Sequence, residues 1–497
     1  MLLDMASDAF GDRVVVGRLA SGFTATDLRV RALSGAASIH GADADAVVYL
    51  APNGPAFPVA MFAAAYAGVP LVPLNYRLGT DQLQALLAKH PNAIGIADEA
   101  GLAHLAAAGI GGHTPEDWLT LTKTPRVEPE EIYDDGPAVV IYTSGTTSEP
   151  KGVLLRHSNL VSYVLGSVEF MNAAEDDAAL VSVPPYHIAA VANVISNLYG
   201  GRRTIVLEQF EPEQWLETVR GEAVTNALVV PTMLSRIIEA VTAGADGAVP
   251  SLRSLAYGGA PMPGSVIEKA LNAWPEVGFV NAYGLTETSS TVAVLGPDEH
   301  RAAVASDDPL VRARLSSVGR VLPTVELEIR DDADQLLPAG MPGRICVRGE
   351  QVSAEYAGVG RAVDARGFFD TRDKGFLDDE GYLFIGGRVD DTIIRGAENI
   401  APAEIEEIIL RHPDVLDVAV IGVPDEEWGQ RIEAAVVTRS GGQLDDSELR
   451  EFVRNELRSS KTPDRFWFWT ELPRTETGKL IRRRVLEQVL ASENAPA

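Results

Sequence analysis

Cysteine is nearly absent. Cys346 is the only one in 497 residues, which excludes intramolecular disulfides and cysteine-based zinc sites and fits a reducing cytoplasm. It lies in the strand-like GRICVRG and reads as a small buried hydrophobe. Basic charge is also scarce, with 42 Lys and Arg against 70 Asp and Glu, a net charge of −28. The strongest basic run is Arg482, Arg483, Arg484, too short to follow a phosphate backbone, so nucleic-acid binding is disfavoured. The N-terminal MLLDMASDAFGDR lacks the positive end and apolar centre of a signal peptide. A membrane span is lacking too. The stretch Ala46 to Tyr76 carries no charge, but Pro52, Pro55, Pro58, Pro70 and Pro73 interrupt any helix through it. It reads instead as a buried strand, helix and strand, so a soluble cytoplasmic protein is expected.

What is present is alternation. ALVSVP, a helical HIAAVANVISNLYG and RTIVLE give one strand–helix–strand unit, and TNALVVP, SLAYGG and VGFVNAYG add further apolar strands. This pattern predicts parallel sheets with helices on both faces. From Thr324 short alternating strands (VELEIR, GRICVRG, GYLFIG) predict a β-rich subdomain. After GGRVDDTII, the run PAEIEEIILRH, VLDVAVIGVP, RIEAAVVTR and DDSELREFVRNELRS predicts a compact α+β module of ordinary domain size. The expected fold is α/β, with a large N-terminal domain (1–389) of mixed parallel sheets flanked by helices plus a β-rich subdomain. A small mobile C-terminal α+β domain (390–497) follows, with its hinge at Asp390.

Chemistry concentrates in five places. YTSGTTSEPKG (142–152) crowds hydroxyls and a lysine between two strand-like runs. It is no Walker loop, because Pro150 takes the place of the second glycine and strand follows strand. SLAYGGAPMPG ends a strand in a glycine pair, where backbone can approach a flat ring. NAYGLTETS places Thr286 beside Glu287, a carboxylate able to hold Mg²⁺. FFDTRDKG places Asp373 in a loop, where it can accept ribose hydroxyls. PRTETGKLIRRR presents Lys479 on a turn before a helix. Strand ends in open α/β sheets are where ligands bind.

In order and spacing, YTSGTTSEPKG, YGLTET, GRVDDTIIRGAENIAPAEIE and PRTETGK resemble the adenylate-forming superfamily, closest in character to acyl-CoA synthetases. The resemblance covers nearly the whole chain. It implies attack of a carboxylate on Mg-ATP to give acyl-AMP and pyrophosphate, then displacement of AMP by a thiol. On this resemblance Thr143, Ser144, Gly145, Thr146, Thr147 and Lys151 hold the β- and γ-phosphates. Gly259 and Ala260 pack the adenine, with Asn281, Ala282 and Tyr283 at its edge. Thr286 contacts the α-phosphate, Glu287 holds Mg²⁺, and Asp373 and Arg388 bind ribose. Lys479 bridges the carboxylate and α-phosphate. Tyr186, His187, Val191, Gly258 and Gly284 border the acyl group, and Arg395, Gly396 and Ala397 line the thiol tunnel. The implied cofactors are ATP, Mg²⁺ and coenzyme A.

Each residue has a plainer reading. Lys151 and Lys479 alone are solvated lysines, Glu287 alone complements a helix N-terminus, Asp390 alone is a cap, and His187 alone is a core histidine. The matched set favours function. Three departures stand out: Ser148 and Arg372 each replace a usual glycine, and SSKTP lacks the frequent tyrosine before Lys461. YHIAAVANVISN has no acidic residue for a substrate amine, so an amino acid is disfavoured. Ala189, Ala190, Val191 and Ala192 predict a roomy apolar pocket for a fatty, aromatic or alicyclic acid. The compact run from Val318 to Arg388 lacks the insertion of ligases that avoid CoA. A CoA ligase leads, with a ligase that stops at acyl-AMP or loads a carrier protein as the alternative and an inactive nucleotide-binding regulator third. A homodimer is left open.

Overall fold

The computed structural model describes residues 1–125, 135–143, 150–388, 391–395, 398–425, 428–439, 444–457, 461–475 and 478–493. Among these, strands form five sheets. A nine-stranded sheet is built around parallel strands Gly278–Leu285, Ser254–Gly258, Asn226–Val229, Ala178–Val181, Arg203–Val206 and Val14–Val16. Short apolar runs separated by helical segments explain this arrangement, since a parallel crossover requires an intervening helix. The helices Ile188–Gly200 and Pro231–Thr242 are two such crossovers.

The uncharged stretch that imitates a span becomes strand Ala46–Leu50, helix Ala56–Ala67 and strand Leu71–Pro73. Both strands are fully buried in an eight-stranded sheet. No helix among the described residues is long and apolar enough to cross a membrane. The hydroxyl-rich segment joins antiparallel strands Pro137–Thr143 and Lys151–Arg156, which pair Thr143 with Lys151. The expected hairpin is present.

The β-rich subdomain is a four-stranded antiparallel sheet, Glu326–Arg330, Gly343–Arg348, Phe369–Leu377 and Leu383–Arg388. Here one expectation is corrected. Asp373 lies in the nine-residue strand Phe369–Leu377, not in a loop. The charged run DTRDK looks like a loop because a bulge interrupts the ladder there. Asp370 pairs with Cys346 and Lys374 with Arg344, so extra residues are accommodated on one side. Arg372 sits within it at φ +61°, a left-handed conformation that costs a non-glycine residue about 1 kcal/mol. That is the physical meaning of glycine being usual at this position.

The C-terminal part has its own core. Strands Val415–Asp425, Gly429–Thr438 and Arg465–Trp469 carry helices Pro402–Leu410, Asp446–Glu456 and Arg482–Glu493. Ile405, Ile409, Val420, Val436 and Leu449 form one apolar cluster, and Ala419, Val437, Val485 and Val489 another on the opposite face.

Candidate active site

A cavity of about 2370 Å³ opens beyond the C-terminal ends of the parallel strands and is bordered by the C-terminal part. Close backbone approach shapes its upper wall. A Cβ at Gly258 would overlap the Ala282 carbonyl, and one at Gly284 would overlap the Ser290 backbone. Gly259 follows at φ +84°. Glycine is thus required at Gly258 and Gly284 by close backbone approach and favoured at Gly259 by its positive φ. Ala260, Asn281, Ala282 and Tyr283 line the same cavity. Asn281 Nδ2 donates to the Ser317 carbonyl at 3.0 Å, which fixes its amide.

Next along the wall, Thr286 and Glu287 form a short turn after the strand Gly278–Leu285. The Glu287 carboxylate accepts a 2.9 Å bond from the Tyr356 hydroxyl. Tyr356 pairs with Val153 in the hairpin strand and stacks under Lys151, whose Nζ lies 5.8 Å from its ring centre. One tyrosine therefore ties the lysine end of the hydroxyl-rich segment to the carboxylate. Sequence reasoning missed Tyr356, because 69 residues separate it from Glu287 and no local pattern marks it. Thr143 and Lys151 both line the cavity. Ser144, Gly145, Thr146 and Thr147 lie outside the described residues.

Asp373 faces Arg388 across the ladder, with Nε 3.5 Å from Oδ1. It also accepts a 2.7 Å bond from the Tyr283 hydroxyl. Burial raises its pKa against the opposing pull of Arg388, Tyr283 and Lys479. The same burial, with Asp373 beside it, pushes the Tyr283 phenol well above its usual range.

Lys479 enters from the C-terminal part. Gly478, at φ +78°, packs directly on Thr232 at the start of helix Pro231–Thr242. Thr475 Oγ1 accepts from the Lys479 amide at 3.0 Å, and Arg474, held by Asp417, donates to the Gly478 carbonyl at 2.6 Å. The Lys479 side chain is exposed and lines the cavity. Desolvation and Arg388 lower its pKa, while Asp373, Asp391 and Glu287 oppose the shift. Its charge also reaches His187, whose pKa is held down to about 4, first by burial and then by Lys479. His187 is therefore neutral at pH 7.

Behind the lysine, Arg482 donates to both carboxylate oxygens of Glu406, to the Val420 carbonyl at 2.8 Å, and faces Asp391 at 3.5 Å.

The acyl-side expectations divide. Tyr186, His187, Gly258 and Gly284 line the cavity. Val191 does not: it is fully buried on the core face of its helix, while Ala189 and Ala192 face the cavity. One residue along a helix turns a side chain by about 100°, so a run of small residues cannot all face one way. Arg395 is turned away from the cavity and holds Asp464 through two bonds of 2.7 and 3.0 Å. Gly396, Ala397 and Asp390 lie outside the described residues.

The large and small parts of the chain thus meet at one glycine-lined cavity, with Lys479 supplied by the C-terminal part. The chain matches the AMP-binding enzyme family over residues 3–357 and that family's C-terminal domain over 404–479. It belongs to that family, and so to the adenylate-forming enzymes. It is 33% identical over 491 residues to a feruloyl-CoA synthase of Amycolatopsis sp., covering 95% of this chain and 91% of the relative. It is 31% identical to a fatty acid–[acyl-carrier-protein] ligase of Streptomyces coeruleorubidus, covering 90% and 87%. Among solved structures it resembles the o-succinylbenzoate CoA synthetase of Bacillus subtilis in complex with ATP and magnesium ion. That likeness has a TM-score of 0.84 and 26% identity, and covers 98% of this chain and 99% of the other.

Proposed function

We propose that this enzyme uses ATP and Mg²⁺ to convert a carboxylic acid with an apolar body into acyl-AMP, and then transfers the acyl group to coenzyme A. The observation that carries the reading is Lys479, a cation brought to one cavity with Glu287, Asp373 and Arg388. Adenylation joins two anions, so it needs positive charge where the new bond forms. Lys479 supplies it beside Thr286, while Arg388 and Asp373 orient the ribose. Neutral His187 leaves the acyl entrance without a competing charge.

The family's metal fits the residues present. Among the described residues no cluster of three or more metal-binding side chains occurs, and Mg²⁺ is characteristically held by one or two carboxylates together with nucleotide phosphates. Glu287 is that carboxylate, and the metal would neutralise charge on the phosphates. Tyr356 fixes the orientation of Glu287. The small domain, from residue 390, carries Lys479 for the first step and the 395–397 segment for the second.

The test is a panel of carboxylic acids assayed for pyrophosphate release and for thioester, with and without CoA. Acid-dependent pyrophosphate release followed by acyl-CoA supports the reading. Release without thioester would redirect it to a carrier protein as acceptor, as the name of the Streptomyces relative states for that enzyme.

A further inference from the structure

The helix Ile188–Gly200 starts at the cavity mouth beside His187 and runs down one wall. Its cavity-lining residues Ala189, Ala192, Asn193, Ser196 and Asn197 recur three and four apart, which is one face of a helix. Along that face the chemistry changes from methyl groups near His187 to amides and a hydroxyl at depth. It ends at Arg202, just past the Gly201 that terminates the helix at φ +75°. The sheet wall shows the same gradient. Leu228 and Ala256 line it in the middle, and Asn226 and Ser254 at the far end.

Among the described residues Arg202 has hydrogen-bonded neighbours but no carboxylate within ion-pair distance. Its Nη1 donates to Asn197 Oδ1 at 3.0 Å and its amide to the Asn197 carbonyl at 2.8 Å. Its Nε, together with Asn197 Nδ2 and Ser196 Oγ, is buried without a hydrogen-bond partner among the described residues. The carboxylate that acts on it, Asp177, already holds Arg253 at 2.9 Å and the Ala174 amide at 3.1 Å. A partly buried guanidinium with a buried, unpartnered donor is costly unless something anionic meets it. An entirely apolar acyl chain would leave that cost in place.

We propose that the far end of this channel receives an anionic group on the acyl substrate. The acid would then be a dicarboxylic or similarly terminally anionic acid with an apolar middle, its second charge paired with Arg202. This rests on the ligase reading and sharpens its substrate class. Ten residues separate His187 from Asn197, about 15 Å at 1.5 Å per residue. An extended chain of roughly ten to twelve carbons spans that distance.

The test compares decanedioate and dodecanedioate with decanoate and dodecanoate, reading kcat/KM for pyrophosphate release. Wild type is expected to prefer the diacids by at least about tenfold, the worth of a charge-assisted bond. Arg202→Met should abolish that preference while turning over the monoacids as well as wild type does. Arg202→Lys should retain part of it. Preference of the wild type for monoacids would overturn this inference and leave the ligase reading intact. So would a loss in Arg202→Met that falls equally on both acid types, since that is a structural effect. If no acid of the wider panel released pyrophosphate, the ligase reading would fail and this inference with it.

Discussion

Gly478→Ala is the sharpest perturbation the site offers, because it adds one methyl group at the contact that seats Lys479. The new Cβ would lie 2.6 Å from Thr232 Cγ2 and 3.0 Å from its Cβ, with Oγ1 nearer still. Ordinary contact begins near 3.4 Å, so the loop must retreat by about 1 Å. The residue is also held at φ +78°, which costs alanine a further ~1 kcal/mol. Misplacing a reacting group by ~1 Å costs about 10²-fold in rate. Acyl-AMP formation, followed by acid-dependent pyrophosphate release, should therefore fall by about two orders of magnitude. Thioester formation from supplied acyl-AMP should persist, since the proposed second step uses a different face of the small domain. Melting should change little, because the contact joins two surfaces outside the apolar clusters. Thr232→Ala in the same chain removes Oγ1 and Cγ2 and should restore much of the lost rate. Wild-type adenylation in Gly478→Ala would refute the reasoning, as would a loss that Thr232→Ala leaves untouched.

Lys479→Ala should lower acyl-AMP formation by about 10²- to 10³-fold, as removal of one preorganised donor does, while preformed acyl-AMP is still converted to thioester. Equal loss of both half-reactions would count against a step-specific role. Asp390→Pro, which locks φ near roughly −65° and restricts the preceding residue, should keep pyrophosphate release and lose most acyl-CoA. Wild-type thioester formation would place the hinge elsewhere. His187 has a folded pKa near 4 against an unfolded value of about 6.5. Between these values the unfolded chain binds more protons, so stability rises with pH there and is lost on acidification. A His187→Asn variant should lose less melting temperature than wild type between pH 7 and pH 4.5, and identical slopes would contradict that assignment.

Much of this was legible in the chain because parallel strands in the middle of a sheet are short, mostly apolar runs. AVVYL, NALV and SLAYG are strands where their composition places them. What failed was finer than a run. Asp373 reads as loop in the sequence because four of the five residues of DTRDK are charged, and charge does not signal a bulge within a strand. Val191 was placed on the channel because composition does not specify which side of a helix faces inward. Arg202 lies past the end of the helix that carries the small apolar residues, and its meaning depends on which neighbours lack partners. Tyr356 is joined to Glu287 only by tertiary folding. Among the residues the resemblance names, Thr143, Lys151, Gly259, Thr286 and Lys479 line the cavity, and each sits in a short pattern rich in glycine or hydroxyl side chains.

The grip of Arg482 on Glu406 and Asp391 has a mechanical consequence. Arg482 follows Lys479 by three residues, and Asp391 adjoins the proposed pivot. Were residue 390 the pivot, as proposed, this tie would couple it closely to the lysine tip. A turn of the pivot would withdraw the cation in the same stroke, so the enzyme would be unable to offer both of its working faces to one acyl group. Order between the two half-reactions would then come from leverage, with no sensor needed to detect that acyl-AMP has formed.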